Sequence, residues 1–156
     1  MKEVQPIRDT KKIDAMKSIM KGESNYRDLL LFVLGINTGL RISDILALKW
    51  SSFLNGGGKL LKTGDQLNVV EIKTKKIKSF MINRSVAEAL KLYHDSLANV
   101  NPDDPVFSSR KTDDGSLQPI TRIAAWQMLN RYANMVGLND GIGTHTLRKT
   151  FGYHLY

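Results

Sequence analysis

Three short stretches of this sequence carry side chains suited to holding an anion. Thr38 to Leu46 reads TGLRISDIL, His145 to Arg148 reads HTLR, and between them Ile72 to Lys78 reads IKTKKIK. A guanidinium is always charged and presents its donors as a planar fork that fits the oxygens of a phosphate. Gly39 permits a sharp turn after an apolar run, so Arg41 should leave the end of one rigid element beside the start of another. His145 and Arg148, three residues apart, would lie about 60° apart around a helix and roughly 4.5 Å apart along it. An imidazole, a cation and a helix N-terminus then face one side, where a negative charge is favoured. Taken singly, each motif also fits an ordinary surface arginine or a surface His–Arg pair. The ordered set, with a basic segment between its members, is far harder to assign to chance.

The charge distribution supports that view. The formal net charge is +8, yet it is not spread evenly. Between Glu71 and Arg84, the cations Lys73, Lys75, Lys76, Lys78 and Arg84 stand against one acid, whereas the segment from Asn101 to Gln118 is acidic through Asp103, Asp104, Asp113 and Asp114. A localised positive field is what a phosphate-facing surface requires.

Composition narrows the class of protein. The 156 residues are 42% hydrophobic and 24% charged, which suits one domain with a real core, so residues 1–156 are read as a single unit. The absence of cysteine excludes disulfides and thiolate metal sites and makes a reducing compartment the simpler expectation. No export signal is visible at the N-terminus, and the longest apolar run, Leu29 to Gly35, is too short to span a bilayer. A soluble, cytoplasmic protein with no membrane contact is expected. Gly56-Gly57-Gly58-Lys59 resembles a phosphate loop but lacks the spacing of one and reads as a flexible turn.

The elements that must position these side chains are mostly helical. Ile13, Met16, Ile19 and Met20 recur at helical spacing from Asp9 or Thr10 to a cap at Gly22. Ser24 is expected to cap a second, fully buried helix ending near Gly39, and Ser43 a short third helix. Leu67 to Thr74 and Ile77 to Asn83 read as a hairpin, with Trp50 to Leu54 as a candidate third strand. Ser85 and Glu88 suggest a capping box, residues 99 to 118 a surface loop, Thr121 the cap of a helix reaching Gly137, and Thr144 the start of the last helix. The resulting fold class is mainly α (α+β), a helical domain with a small antiparallel sheet of two or three strands on one edge.

TGLRISDIL, a hairpin containing IKTKK, and HTLRKTF in that order resemble the tyrosine recombinase, or phage integrase, family. The resemblance runs from the helix before Arg41 through Tyr156. It implies a catalytic domain in which Arg41 and Arg148 grip the scissile phosphate and His145 accompanies them. The hairpin lysine of the family falls on Lys73, or on Lys75 if the register differs, and Asp44 lies where the family has an acid that orients the site. Ser43, Lys75, Lys76, Lys78 and Thr144 are the accompanying candidates for DNA contact.

The implied reaction is site-specific cutting and rejoining of double-stranded DNA through a 3′-phosphotyrosine. Two guanidinium groups can stabilise charge on the non-bridging oxygens without a metal, and a covalent intermediate retains the bond energy, so neither metal nor cofactor is expected, nor any small-molecule substrate. A tyrosine hydroxyl, with a free pKa of about 10, is helped by an imidazole that accepts its proton. In the family, a further His or Trp and the nucleophilic tyrosine come well after the second arginine, and only eight residues follow Arg148 here. The chain is therefore expected to hold the phosphate-binding part of the site without the nucleophile, and also to lack the family's N-terminal DNA-clamping domain. Helical geometry sets Tyr153 about 140° around from Arg148, and Tyr156 about 16 Å along the axis from His145. Both read as packing residues. Self-assembly on DNA is implied for a full-length member. A non-catalytic DNA-binding accessory module, or a decayed integrase, is the competing expectation, and a basic domain with no nucleic-acid role is the third.

Overall fold

The computed structural model of the chain describes residues 5–111, 114–138, 143 and 145–155. Helix α1 spans Thr10–Gly22, α2 Tyr26–Thr38, α3 Ile42–Leu46, α4 Arg84–Ser96, α5 Arg122–Met135 and α6 His145–Leu155. Strands β1 (Gln66–Val70) and β2 (Ile77–Met81) form an antiparallel hairpin with Val70 opposite Ile77, and β3 (Ser108–Lys111) pairs with β4 (Leu117–Pro119). The fold is thus mainly α, with small antiparallel ribbons.

Helix α2 is the axis of the molecule. Leu29 through Leu34 are all buried, since this helix is apolar all round and is packed by α1, α4 and α6. The contact with α6 is unusually close. A Cβ added at Gly35 would lie 2.5 Å from Cδ1 of Leu147 and 3.0 Å from its Cβ, so only a glycine lets the two helices meet there. The N-terminal segment secures α6 from outside. The Ile7 N–H donates to Thr150 Oγ1 at 2.9 Å, and His154 Nε2 lies 2.8 Å from the Ile7 carbonyl, which can only accept. His154, although exposed, thus ties α6 to the N-terminal segment.

Several local boundaries differ from expectation, each for a visible reason. Gly22 stays inside α1, and Ser24 takes the left-handed conformation at φ 57°. The Ser24 and Asn25 N–H groups return to the carbonyls of Lys21 and Met20, a Schellman closure that makes Ser24 the end of α1 instead of the cap of α2. Ser43 lies within α3, and Arg41 holds the cap position without a side-chain capping bond. Asn83 caps α4 by accepting from the Val86 N–H, while Glu88 pairs with Lys21. Thr121 caps α5, accepting from Ala124 N–H. The hairpin strands are shorter than read, because residues 71–76 form a turn in which Lys75 is left-handed at φ 60°.

Trp50–Phe53 is a 3-10 helix, not a third strand. Trp50 and Phe53 are both buried, and a three-residue spacing faces one side in a 3-10 turn but opposite sides in a strand. Residues 99 to 118 are not merely a surface loop. Val106 and Phe107 are fully buried, the Tyr93 hydroxyl donates to the Val106 carbonyl at 2.7 Å, and β3 and β4 follow. The Gly56–Lys59 segment is a turn closed by Asn55, whose side chain accepts from the Gly57 and Lys59 N–H groups.

Gly22 and Gly35 separate helix propensity from close approach. Nothing lies within 4 Å of a Cβ at Gly22, so Gly22→Ala should stabilise the protein by up to about 1 kcal/mol. Gly35→Ala should instead destabilise it by roughly 1–3 kcal/mol, as overpacking does. Urea denaturation distinguishes them, and equal effects would mean that α2 and α6 are not held at this spacing.

Candidate functional site

Arg41 follows the sharp exit from α2. Gly39 has φ 67°, and a Cβ there would lie 2.4 Å from Cδ1 of Phe151, so the chain leaving α2 is pressed against the ring of α6. Arg41 comes two residues later with extended backbone, φ −65° and ψ 144°. On α6, Arg148 lies one turn before Phe151, about 4.5 Å along the axis. His145 opens the same helix, and both side chains are exposed. The two motifs, far apart in sequence, thus belong to elements in direct contact. Leu147 is buried between them, Phe151 is half-buried on Gly39, and Leu155 is exposed.

Two buried carboxylates join the hairpin to this centre. Asp44 is buried in α3, and its Oδ1 accepts from the Ile72 N–H at 2.9 Å. Glu71, also buried, places Oε2 3.3 Å from Arg41 Nη1 and 3.5 Å from Lys78 Nζ, while Oε1 accepts from the Thr74 hydroxyl at 3.1 Å. The backbone closes the same turn. Glu71 N–H donates to the Lys76 carbonyl and Lys75 N–H to the Glu71 carbonyl, both at 2.9 Å. Lys73 therefore sits between Ile72, tied to Asp44, and Thr74, tied to Glu71.

Each expected residue can be placed in this frame. Lys73, Lys75 and Lys76 are exposed on the turn. Lys78 lies opposite buried Val69 in the hairpin register and reaches Glu71. Ser43 is half-buried within α3. Thr144 and Tyr156 lie outside the described residues. Tyr153 is half exposed, with the Arg8 guanidinium 5.6 Å from its ring centre and His154 edge-on at 4.9 Å. That packing turns it toward the N-terminal segment. Among the described residues, no three His, Cys, Asp or Glu side chains gather as metal ligands, and no helix is long and apolar enough to cross a membrane.

Glu71 escaped the sequence reading, although it is the one acid in a run of cations and immediately precedes Ile72-Lys73. Burial works against its ionised form. The Thr74 hydroxyl, Lys78 and Arg41 outweigh that cost and hold the carboxyl below its usual range. An ionised carboxylate thus lies among the cations.

Comparison with known proteins gives a consistent pattern. The family model described as "Phage integrase family" matches residues 9–156. The chain is 40% identical over 153 residues to a probable integrase/recombinase, YoeC, of Bacillus subtilis (strain 168), covering 98% of this chain and 75% of that protein. The XerH site-specific recombinase, solved in a pre-cleavage complex with its difH substrate, superposes with a TM-score of 0.70 at 25% identity over 99% of this chain. XerA recombinase superposes at 0.71 with 17% identity, also over 99% of this chain, and so shows likeness of fold. The chain spans 43% of the XerH chain and 51% of the XerA chain.

The two carboxylates have separable consequences. Asp44→Ala should leave the Ile72 N–H without its acceptor, lower stability by about 1–3 kcal/mol and speed amide exchange over residues 72–76. Unchanged exchange there would show that the turn is held without Asp44. For Glu71 the folded pKa lies below the ordinary 4.5, so its contribution is complete above that value and is lost as the pH falls through the depressed one. Acid denaturation of Glu71→Gln should accordingly show a shallower decline below pH 4.5 than the parent, and parallel curves would contradict the pairing.

Proposed function

The chain belongs to the phage integrase family, and from that premise we propose that these residues form the phosphate-binding part of a site that cuts and rejoins double-stranded DNA through a 3′-phosphotyrosine. The observation that carries the reading is the docking of α6 on the exit of α2, with Gly39 against Phe151, which brings the elements bearing Arg41 and Arg148 together. Arg41 and Arg148 hold the non-bridging oxygens and stabilise the charge that grows on them in the transition state. His145, at the start of α6, accepts the proton of the attacking tyrosine.

The tyrosine oxygen bonds to phosphorus as the bond to the 5′ oxygen breaks, and a lysine ammonium gives that oxygen its proton. Lys73 is assigned this part over Lys75, because its two neighbours are tied to Asp44 and Glu71. Asp44 orients the turn. Lys75, Lys76 and Lys78, with Ser43, face the DNA backbone, contacts that position the duplex without reading its sequence, and Thr144 is assigned to the same group by its place in the sequence alone. No cofactor takes part. Several copies of the protein assemble on the DNA.

A second reading, a DNA-binding accessory module that does not cut, rests on the same exposed lysines of the hairpin turn, which need only phosphate contact to bind a duplex. A nicked duplex that traps covalent adducts separates the two, since an adduct requires a reactive tyrosine.

Both readings require phosphate contact by the two arginines. Arg41→Ala and Arg148→Ala should retain a cooperative melt, yet each should make the dependence of log K on log salt shallower by about one, one phosphate contact having been removed. Where the adduct forms, each substitution should reduce its rate at least about a hundredfold. Parent-like slopes and parent-like adduct formation in both variants would defeat the assignment.

A further inference from the structure

The carboxylate of Glu71 has no part in the reaction above, and at first sight it is misplaced. An anion beside a phosphate-binding cation repels the ligand, so charge counting alone says that DNA affinity should rise when it is removed. Its surroundings point the other way. Glu71 is buried, while the Arg41 side chain is about one third exposed. The contact engages one terminal nitrogen, Arg41 Nη1, at 3.3 Å, and a guanidinium has further donors in the same plane. Glu71 therefore lies behind the guanidinium, on its protein side.

The same carboxylate also takes the Thr74 hydroxyl, and the Glu71 backbone closes the turn through Lys75 and Lys76. One residue thus touches both Arg41 and the turn that carries Lys73. A long side chain held in one rotamer before its ligand arrives loses less freedom on binding, which strengthens each contact it makes. We propose that Glu71 is a positioning residue: it fixes the guanidinium of Arg41 for the DNA phosphate and sets the Lys73 turn in register with it. The proposal rests on the reading that Arg41 binds phosphate.

A double-mutant cycle on the whole chain tests it, with affinity for a fluorescently labelled mixed-sequence duplex read by anisotropy across a salt series. Arg41→Ala alone should weaken binding and flatten the salt dependence; parent-like binding would remove the reading and this inference together. Glu71→Gln, although it adds a net positive charge, should weaken binding by roughly 3- to 10-fold, the scale of one phosphate contact. In the Arg41→Ala background the same change should cost clearly less, because one of the two groups it positions is gone and only the Lys73 turn remains.

Tighter binding by Glu71→Gln would show that the carboxylate competes with DNA for Arg41. An equal loss in both backgrounds would show that it acts through the fold. Either result overturns the proposal while leaving Arg41 as a phosphate ligand. Should Glu71→Gln melt without a cooperative transition, Thr74→Val takes its place in the cycle, since it removes the hydroxyl donor to Oε1, together with the acceptor of the Lys76 N–H, and leaves the carboxylate charged. A larger loss with Arg41 present than in its absence supports the proposal, and an equal loss in both, or none, overturns it.

Discussion

Neighbouring cations repel one another, and the fold must hold Arg41 and the lysines of the hairpin turn in place against that repulsion. The means visible here is a pair of buried carboxylates. Glu71 is shared by Arg41 and Lys78, and Asp44 anchors the backbone one residue before Lys73. Burying a carboxylate is costly unless it is paired or hydrogen-bonded; Glu71 is paired with two cations and Asp44 accepts from the Ile72 N–H, and both contacts join the hairpin to α3 and the residue that caps it. The basic surface is therefore a constructed part of the molecule, supported from behind, and its lysines extend from a turn whose backbone is closed on itself.

A second constraint is steric. The first and last motifs meet only because α2 offers glycine where α6 crosses it, at Gly35 against Leu147 and at Gly39 against Phe151. Gly39 serves twice, since its positive φ turns the chain toward Arg41 and its missing Cβ admits the ring. The N-terminal segment then closes over α6 through Ile7, Thr150 and His154. Core packing and site geometry are consequently the same contacts, and loosening one disturbs the other.

Much of this was legible in the sequence. The apolar run of α2, the turn at Gly39, the Thr121 cap and the hairpin all follow from periodicity and turn chemistry, and the ordered motifs pointed to the family. The misreadings have a common origin in contacts distant in sequence. Trp50–Phe53 has strand-like composition but is drawn into a 3-10 turn as its backbone bonds to residues 102 and 104. Val106 and Phe107 were masked by the polar loop around them, although two adjacent apolar residues after Pro105 could have signalled burial. Ser24 and Ser43 looked like caps by type, but the Schellman closure of α1 and the position of Arg41 before α3 displaced them by a residue or two. Glu71 was counted only as an exception in a basic run, because ion pairing across 30 residues leaves no local pattern.

The proposed site depends on one anion shared by two arginines distant in sequence. A structure of the chain bound to duplex DNA measures this directly. It should show a single phosphate within hydrogen-bond reach of both the Arg41 and Arg148 guanidinium groups, with Lys73 and His145 beside it. Arginines engaging separate phosphates, or facing away from the duplex, would contradict it.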